Sequence, residues 1–362
     1  MKTKSLLSLL SGLILASACT PEPITPLTQD YRDGIVVVNE GPFMNGTGSL
    51  TFIHFAEGRR DSTYSIANAF EQVNGRSLGN IAQSGVTIGN RLYVVVNNAG
   101  TVEVMDAKTL QSVGVISNLG LPRYIVPFGE NRAVVSDWMD DRLYVIDLNT
   151  LSVVDTAETG AGPEQLFVGT AALSSSATVL FVPCSGGYGQ ANKVEIFNEA
   201  MNKIGEVTVG DQPQGLVADG EGNFWVLCQG YNDWAGTAST PGGLYKIDKI
   251  TLQVTHQVVS MNASAHPSSL FYSADNNQLV FLSDRYTGTV VSLSVNQSQW
   301  PTTPAVNRIF YSLGYNALTG DYYGLLPLNY IGNGRLVRFS HQWQPLDSIE
   351  TGIIPSYVCL PF

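Results

Sequence analysis

The sequence predicts an all-β fold, and three observations carry that prediction. Only 14% of the 362 residues are charged, 44% are apolar and 36 are Gly, a mix that favours short strands and tight turns over long helices. Apolar and polar residues alternate with a period of two through stretches such as RLYVVVNNAGTVEVMD (91–106), punctuated by Gly, Asn and Asp. This hairpin also repeats. Asp106-Ala-Lys-Thr-Leu110 returns as Asp147-Leu-Asn-Thr-Leu151 and Asp248-Lys-Ile-Thr-Leu252, each behind a strand-like run. A second marker, Pro followed three residues later by an apolar residue, recurs at Pro122, Pro163, Pro213, Pro267 and Pro355. Both markers fit units of about 40 to 50 residues.

Each unit reads as four strands. Around the first hairpin they are GVTI, RLYVVV, TVEVMD and QSVGVI; in the next they are RYIV, RAVVS, RLYVID and SVVDTA. Four-stranded units of this length that close radially make a β-propeller. Units begin near residues 84, 122, 163, 213, 267 and 313. An N-terminal piece with three strands (GIVVVNEG, SLTFIHF, DSTYSI) and a C-terminal piece with one (SYVCLPF) complete a seventh blade. The expectation is therefore a seven-bladed propeller over 33–362, whose last strand, about 354–362, pairs with the N-terminal blade and closes the ring.

The first nineteen residues, MKTKSLLSLLSGLILASAC, carry two lysines, an apolar run too short to span a bilayer, and small residues before Cys19; they read as a secretory signal over 1–18. The segment before the cysteine resembles a bacterial lipobox, with Ala16 where Leu is usual. That resemblance implies cleavage and lipid attachment at Cys19, so the membrane is met only through the anchor. Residues 19–32, rich in Pro and Thr, read as a tether. Cys184, Cys228 and Cys359 lie in apolar strand contexts and are expected to be buried free thiols. Net charge is −11 with no basic stripe, which argues against nucleic acid as a partner.

The segments NEGPFMNGTGSL (39–50) and NAFEQVNGRSLGNIAQS (68–84), with the strand pair after them, carry a family resemblance. They resemble a bacteroidal group of YncE-like seven-bladed propeller lipoproteins with YVTN-type repeats, of the DUF5074 kind. Asn39-Glu40-Gly41 and Asn74-Gly75-Arg76-x-Leu78-Gly79 are the more specific signatures. The resemblance implies relatives that capture vitamin B12 at the cell surface and pass it to an outer-membrane transporter, so cobalamin becomes the sharpest ligand expectation and no cofactor is expected.

In a propeller, the loops entering each innermost strand share a face with those joining second and third strands. The second-to-third loops carry Phe43, Trp138, Tyr188, Tyr231, Trp234, Tyr286 and Tyr330, rigid rings suited to an amphipathic ligand. The innermost-strand entrances offer Gln83, Arg123, Glu164, Gln165, Gln212, Gln214, His266, Tyr315, Asn316 and Tyr357. Arg123, Gln165, Gln214 and Tyr315 are taken from this set as ligand contacts, although Arg123 could instead pair with Glu164 in the next blade. The loop 229–243 is long for a hairpin, which suggests function or disorder.

The axis offers one carboxylate by this reading, Glu164; Asp137, Asp140, Asp141, Asp233 and Asp284 belong to the second-to-third loops. A divalent metal wants several such ligands, and His266 is the one histidine near the axis. No GxSxG element sits between a strand and a helix. The expectation is a non-enzymatic small-molecule binder of the outer membrane, facing the cell surface. The alternatives are a protein-docking propeller and a propeller lactonase or hydrolase.

Overall fold

A computed structural model of the chain describes residues 29–43, 46–56, 62–172, 176–233 and 238–360. The signal sequence and Cys19 lie outside the described residues, as does Trp234. Seven four-stranded antiparallel sheets form in chain order. The first chain-order sheet is completed from the far end: β28 (Pro355–Cys359) pairs with β1 (Ile35–Asn39), which continues to β2 (Ser49–His54) and β3 (Tyr64–Ile66). The register runs Val36 to Cys359, Val37 to Val358 and Val38 to Tyr357. The chain is thus a seven-bladed β-propeller closed by its C-terminal strand, as the repeat arithmetic predicts.

The other six, numbered blades 1 to 6 in chain order with the closed sheet as blade 7, each open on an innermost strand: β4 (Ala82–Ile88), β8 (Pro122–Pro127), β12 (Phe167–Ala172), β16 (Pro213–Ala218), β20 (Ser268–Ser273) and β24 (Ser312–Asn316). Second strands such as β5 (Arg91–Val96), β9 (Arg132–Asp137) and β17 (Phe224–Cys228) are buried almost end to end. Neighbouring blades cover both of their faces, so VVV and FWVLC runs replace alternation. Outer strands have one wet face and do alternate: β7 (Ser112–Ile116), β11 (Ser152–Glu158) and β27 (Pro345–Glu350) show that period. Hydrophobic clusters lie between blades, for example Phe181, Phe224 and Val226 in one and Trp225, Leu227 and Phe281 in the next.

The repeated Asp-x-x-Thr-Leu element closes three third-to-fourth-strand turns. Asp106 Oδ1 accepts from the backbone N–H of Lys108 and Thr109, and from Thr109 Oγ1; Asp147 and Asp248 do the same in their blades. The aspartate supplies a local turn partner that the backbone lacks. The following Leu110, Leu151 and Leu252 are left-handed, with φ of 55°, 54° and 53°.

One element was not anticipated. Residues Ala69–Asn74 form a short helix, α1, ended by Gly75 at φ 65°. It places the Asn-Gly-Arg signature against blade 1. Asn74 Nδ2 donates to the Leu110 carbonyl while its Oδ1 accepts from the Ser112 N–H. Arg76 pairs with buried Glu103 at 2.7 Å and lies over the Phe70 ring. This part of the family signature is a clip between consecutive blades. The cysteines Cys184, Cys228 and Cys359 are buried and free.

Deleting residues 354–362 leaves β1 without its inner partner and exposes a long apolar edge. We expect Tm to fall by about 10 °C or more and soluble aggregates to appear in size-exclusion chromatography. An unchanged melting curve would show that closure contributes little.

Candidate functional site

The sheet irregularities decide which side chains reach the axis. Pairing of first with second strands skips one residue between Ala82 and Ser84, between Pro122 and Tyr124, and between Pro213 and Gly215. The closing strand does the same beside Asn39, where Pro355 and Tyr357 are paired and Ser356 is skipped. Each skipped residue is a bulge, and a bulge re-aims a side chain away from the pleat. The skipped residues Gln83, Arg123, Gln214 and Ser356 all line the axial cavity. Two residues ahead of three of them the backbone is left-handed: Ile81 (φ 57°), Gln212 (φ 52°) and Ile354 (φ 55°). A β-branched residue there is strained, a conformation kept only where surroundings impose it.

The imposing contact is a recurrent hydrogen bond. The N–H just past the second strand donates to the carbonyl two residues ahead of the bulge: Glu40 to Ile354, Asn97 to Ile81, Trp138 to Leu121 and Gln229 to Gln212, at 2.8 to 3.1 Å. Ser185 donates to Gly162 in the same way in blade 3, where the Pro163–Cys184 bridge precedes Glu164. The bond thus sets two positions per blade at the axis. The second set contributes Glu40, Trp138, Ser185 and Gln229 to the lining.

Together these positions line an axial cavity of about 900 Å³. Its mouth holds Phe43, Trp138, Tyr188, Tyr231 and Tyr286; its walls hold Gln165, Gln212, Gln214 and Gln229, with Phe271, Tyr315 and Tyr357 also lining it. Trp138 and Tyr188 meet edge to face at 4.6 Å, and Tyr188 is 88% exposed. Gln165 lies over Gly215, where a Cβ would come within 2.7 Å of its Oε1.

Of the ring and amide residues expected from the sequence, Tyr330 does not line the cavity: it packs edge to face behind Tyr311, at 6.2 Å. Trp234 falls outside the described residues. Asn316 is buried next to the turn before Asp321 and is likewise not part of the lining. Several cavity residues were not expected from the sequence, among them Glu40, Arg285 and Tyr311. Glu40 stood in a family signature and was not recognised as axial, although it occupies the position equivalent to Trp138. Arg285 stands in the 283–288 loop beside Tyr286, at the position equivalent to Trp138, and Tyr311 directly precedes the innermost strand Ser312–Asn316.

Charge in the cavity is organised around pairs. Arg123 Nε and Nη2 donate to Glu164 Oε2 at 3.2 and 3.0 Å, and Nη1 donates to Gln83 Oε1 at 3.2 Å. The Glu164 side chain is only 4% exposed. Burial works against the Arg123 charge, yet the Glu164 carboxylate outweighs it and holds the guanidinium above its ordinary range. Glu40 accepts from Tyr311 Oη at 3.2 Å through both oxygens. Burial raises the Glu40 carboxyl, and the Tyr311 hydrogen bond only partly offsets that. Desolvation pushes the half-buried Tyr124 hydroxyl, beside Arg123, up to about 12.

The acids of the second-to-third loops are engaged as well. Asp137 accepts from the N–H groups of Gly120 and Leu121, Asp140 from Tyr144 Oη at 2.6 Å, and Asp141 from the Gly162 N–H. Among the described residues no group of three or more His, Cys, Asp or Glu is arranged to hold a metal ion. The cavity is an amphipathic one: aromatic at the mouth, amide-lined along the wall, with its charges mostly tied.

This fold and cavity place the chain among the propellers, and comparison with known proteins sets the family. The chain belongs to the family described as a domain of unknown function, DUF5074, whose model matches residues 33–323. No curated protein matches it. Among solved structures it is similar to a quinonprotein alcohol dehydrogenase-like protein from Bacteroides thetaiotaomicron, with 15% identity, TM-score 0.66, and 92% of this chain and 79% of that one covered. A candidate 6-phosphogluconolactonase from Bacteroides fragilis gives 11% identity, TM-score 0.65, and coverages of 90% and 97%. Hydrazine synthase from Kuenenia stuttgartiensis gives 13%, 0.57, and 85% and 93%. At these identities the likeness is one of fold.

Two measurements probe the charges. Arg123→Met strands a buried carboxylate and is expected to cost about 3–5 kcal/mol in chemical denaturation; adding Glu164→Gln should recover most of it. Glu40 has a raised carboxyl in the fold, so its ionisation disfavours folding at neutral pH. That penalty is present above its folded value and absent once both states are protonated. Glu40→Gln should therefore raise Tm at pH 7, with the gain vanishing below about pH 4. A gain independent of pH would contradict this.

Proposed function

We propose that the chain is a non-enzymatic capture protein that seats a small amphipathic ligand in the axial cavity. Its best candidate is a corrinoid such as vitamin B12. The observation that carries the reading is the cavity itself: about 900 Å³, aromatic at its mouth and lined by glutamine amides within. Flat rings supply rigid apolar area at small entropic cost, and amides supply donors and acceptors for a ligand edged with amides. The two carboxylates inside are engaged, Glu164 by Arg123 and Glu40 by Tyr311, which suits recognition better than acid–base chemistry. The family resemblance in the sequence supports the corrinoid. A lipidated Cys19 would hold the propeller at the outer membrane, facing outward, to hand the ligand to a transporter.

A second reading has its own observation. Phe43, Tyr188, Leu328 and Ile331 are 61–88% exposed in second-to-third loops of three blades, and exposed apolar rims also serve protein docking. Calorimetric titration with cyanocobalamin separates the two. Capture predicts saturable heat at micromolar ligand, and Trp138→Ala should weaken it about tenfold or more without changing Tm appreciably. Absence of heat would remove the corrinoid, and retention of full affinity by the variant would remove this face as its site.

A further inference from the structure

The cavity contains two guanidinium groups with opposite circumstances. Arg123 is neutralised by Glu164 and bonded to Gln83. Arg285, across the ring in blade 5, has no carboxylate within ion-pair distance among the described residues; its Nη1 meets only the neutral Gln229 Oε1, at 3.2 Å. Its guanidinium also lies over the neighbouring Tyr286 ring, at 4.9 Å from the centroid.

The loop explains why the charge stays open. Asp284, the adjacent acid, turns Oδ1 to the N–H groups of Tyr286 and Thr287 and to Thr287 Oγ1, and Oδ2 to the N–H of His266. Burial raises Asp284, but these backbone donors prevail and hold it below its ordinary value. Both carboxylate oxygens are thereby committed to shaping the turn. The Arg285 N–H in turn donates to the His266 carbonyl at 2.7 Å, fixing the base of the side chain at the cavity wall. Glu40, the cavity acid outside the Arg123 pair, is bonded to Tyr311 and meets the Arg285 charge only at longer range, where that charge slightly favours its ionised form. Arginine presents a planar fork of donors suited to oxyanions, and an exposed fork on a cavity wall with no carboxylate in ion-pair contact is a ready receptor for one.

We propose that Arg285 is the anion seat of this cavity, receiving a carboxylate, phosphate or sulfonate carried by an otherwise apolar ligand. The proposal rests on the cavity being a ligand site, but not on the ligand being a corrinoid. It also divides the labour between the two arginines: Arg123 braces blades 2 and 3, and Arg285 orients what binds.

The test uses the full chain and a matched pair of fluorescent probes, anilinonaphthalenesulfonate and its uncharged analogue N-phenylnaphthylamine. The wild-type protein should bind the sulfonate more tightly than the neutral dye. Arg285→Gln should weaken the sulfonate about tenfold while leaving the neutral dye and the melting temperature unchanged, and Arg285→Lys should fall between. Added salt should weaken the sulfonate alone. Equal loss of both dyes in Arg285→Gln, or an unaltered sulfonate affinity, overturns the anion seat while the cavity stands. Failure of both dyes to bind the wild type overturns the cavity as well. A null cyanocobalamin titration beside the expected dye result removes only the corrinoid.

Discussion

The pairing of β28 with β1 is the constraint on which the molecule depends. Blades bury their apolar faces against neighbours, and a row of such blades always leaves two faces open unless its ends meet. The ends meet through the Val36–Cys359, Val37–Val358 and Val38–Tyr357 register. Room for this strand is made on both sides by glycines of the adjoining inner strands. A Cβ at Gly85 would lie 2.6 Å from Cys359 Sγ, and one at Gly314 would lie 2.8 Å from Val358 Cγ2. Sequence separation makes the closure a late and costly contact in entropy, but it secures every interblade cluster at once.

Closure also completes the site. The carbonyl of Ile354 receives the Glu40 N–H, and the bulge at Ser356 turns the closing strand toward the axis. The same pair of devices recurs in other blades, so a local repeat becomes a ring of side chains around one cavity. Repetition sets where the side chains stand; their identities differ, with Gln83, Arg123, Gln214 and Ser356 at equivalent bulges. Chemistry is therefore asymmetric on a nearly symmetric frame. The tolerance of a scaffold to such variation is why a shared propeller fold does not name a ligand.

Legibility varied with the range of the interaction involved. The strands, the blade boundaries and the closing segment could be read because period-two alternation and Asp-x-x-Thr-Leu turns are local. The short helix at Ala69–Asn74 could not, since its anchor is Asn74 bonding Leu110 and Ser112 in another blade. Tyr330 looked equivalent to other loop rings, yet its loop folds it behind Tyr311. Glu40 was hidden because a carboxylate next to a Gly-Pro turn gives no sign of pointing down an axis. The Arg123–Glu164 pairing was visible only as a choice between two partners, ligand or neighbour; geometry supplies the neighbour.

By itself the sequence determined the number of blades, the strand order and the inventory of rings and amides on one face, because these follow from periodicity and hairpin connectivity over a few residues. Tertiary structure alone decided which charges are spent and which stay open. Asp284 and Arg285 are adjacent in the chain, yet the fold commits the first to backbone amides and leaves the second beside a neutral amide. The physical reason is that a charge is neutralised by whatever the surrounding blades bring within hydrogen-bond reach, and that depends on how the ring closes.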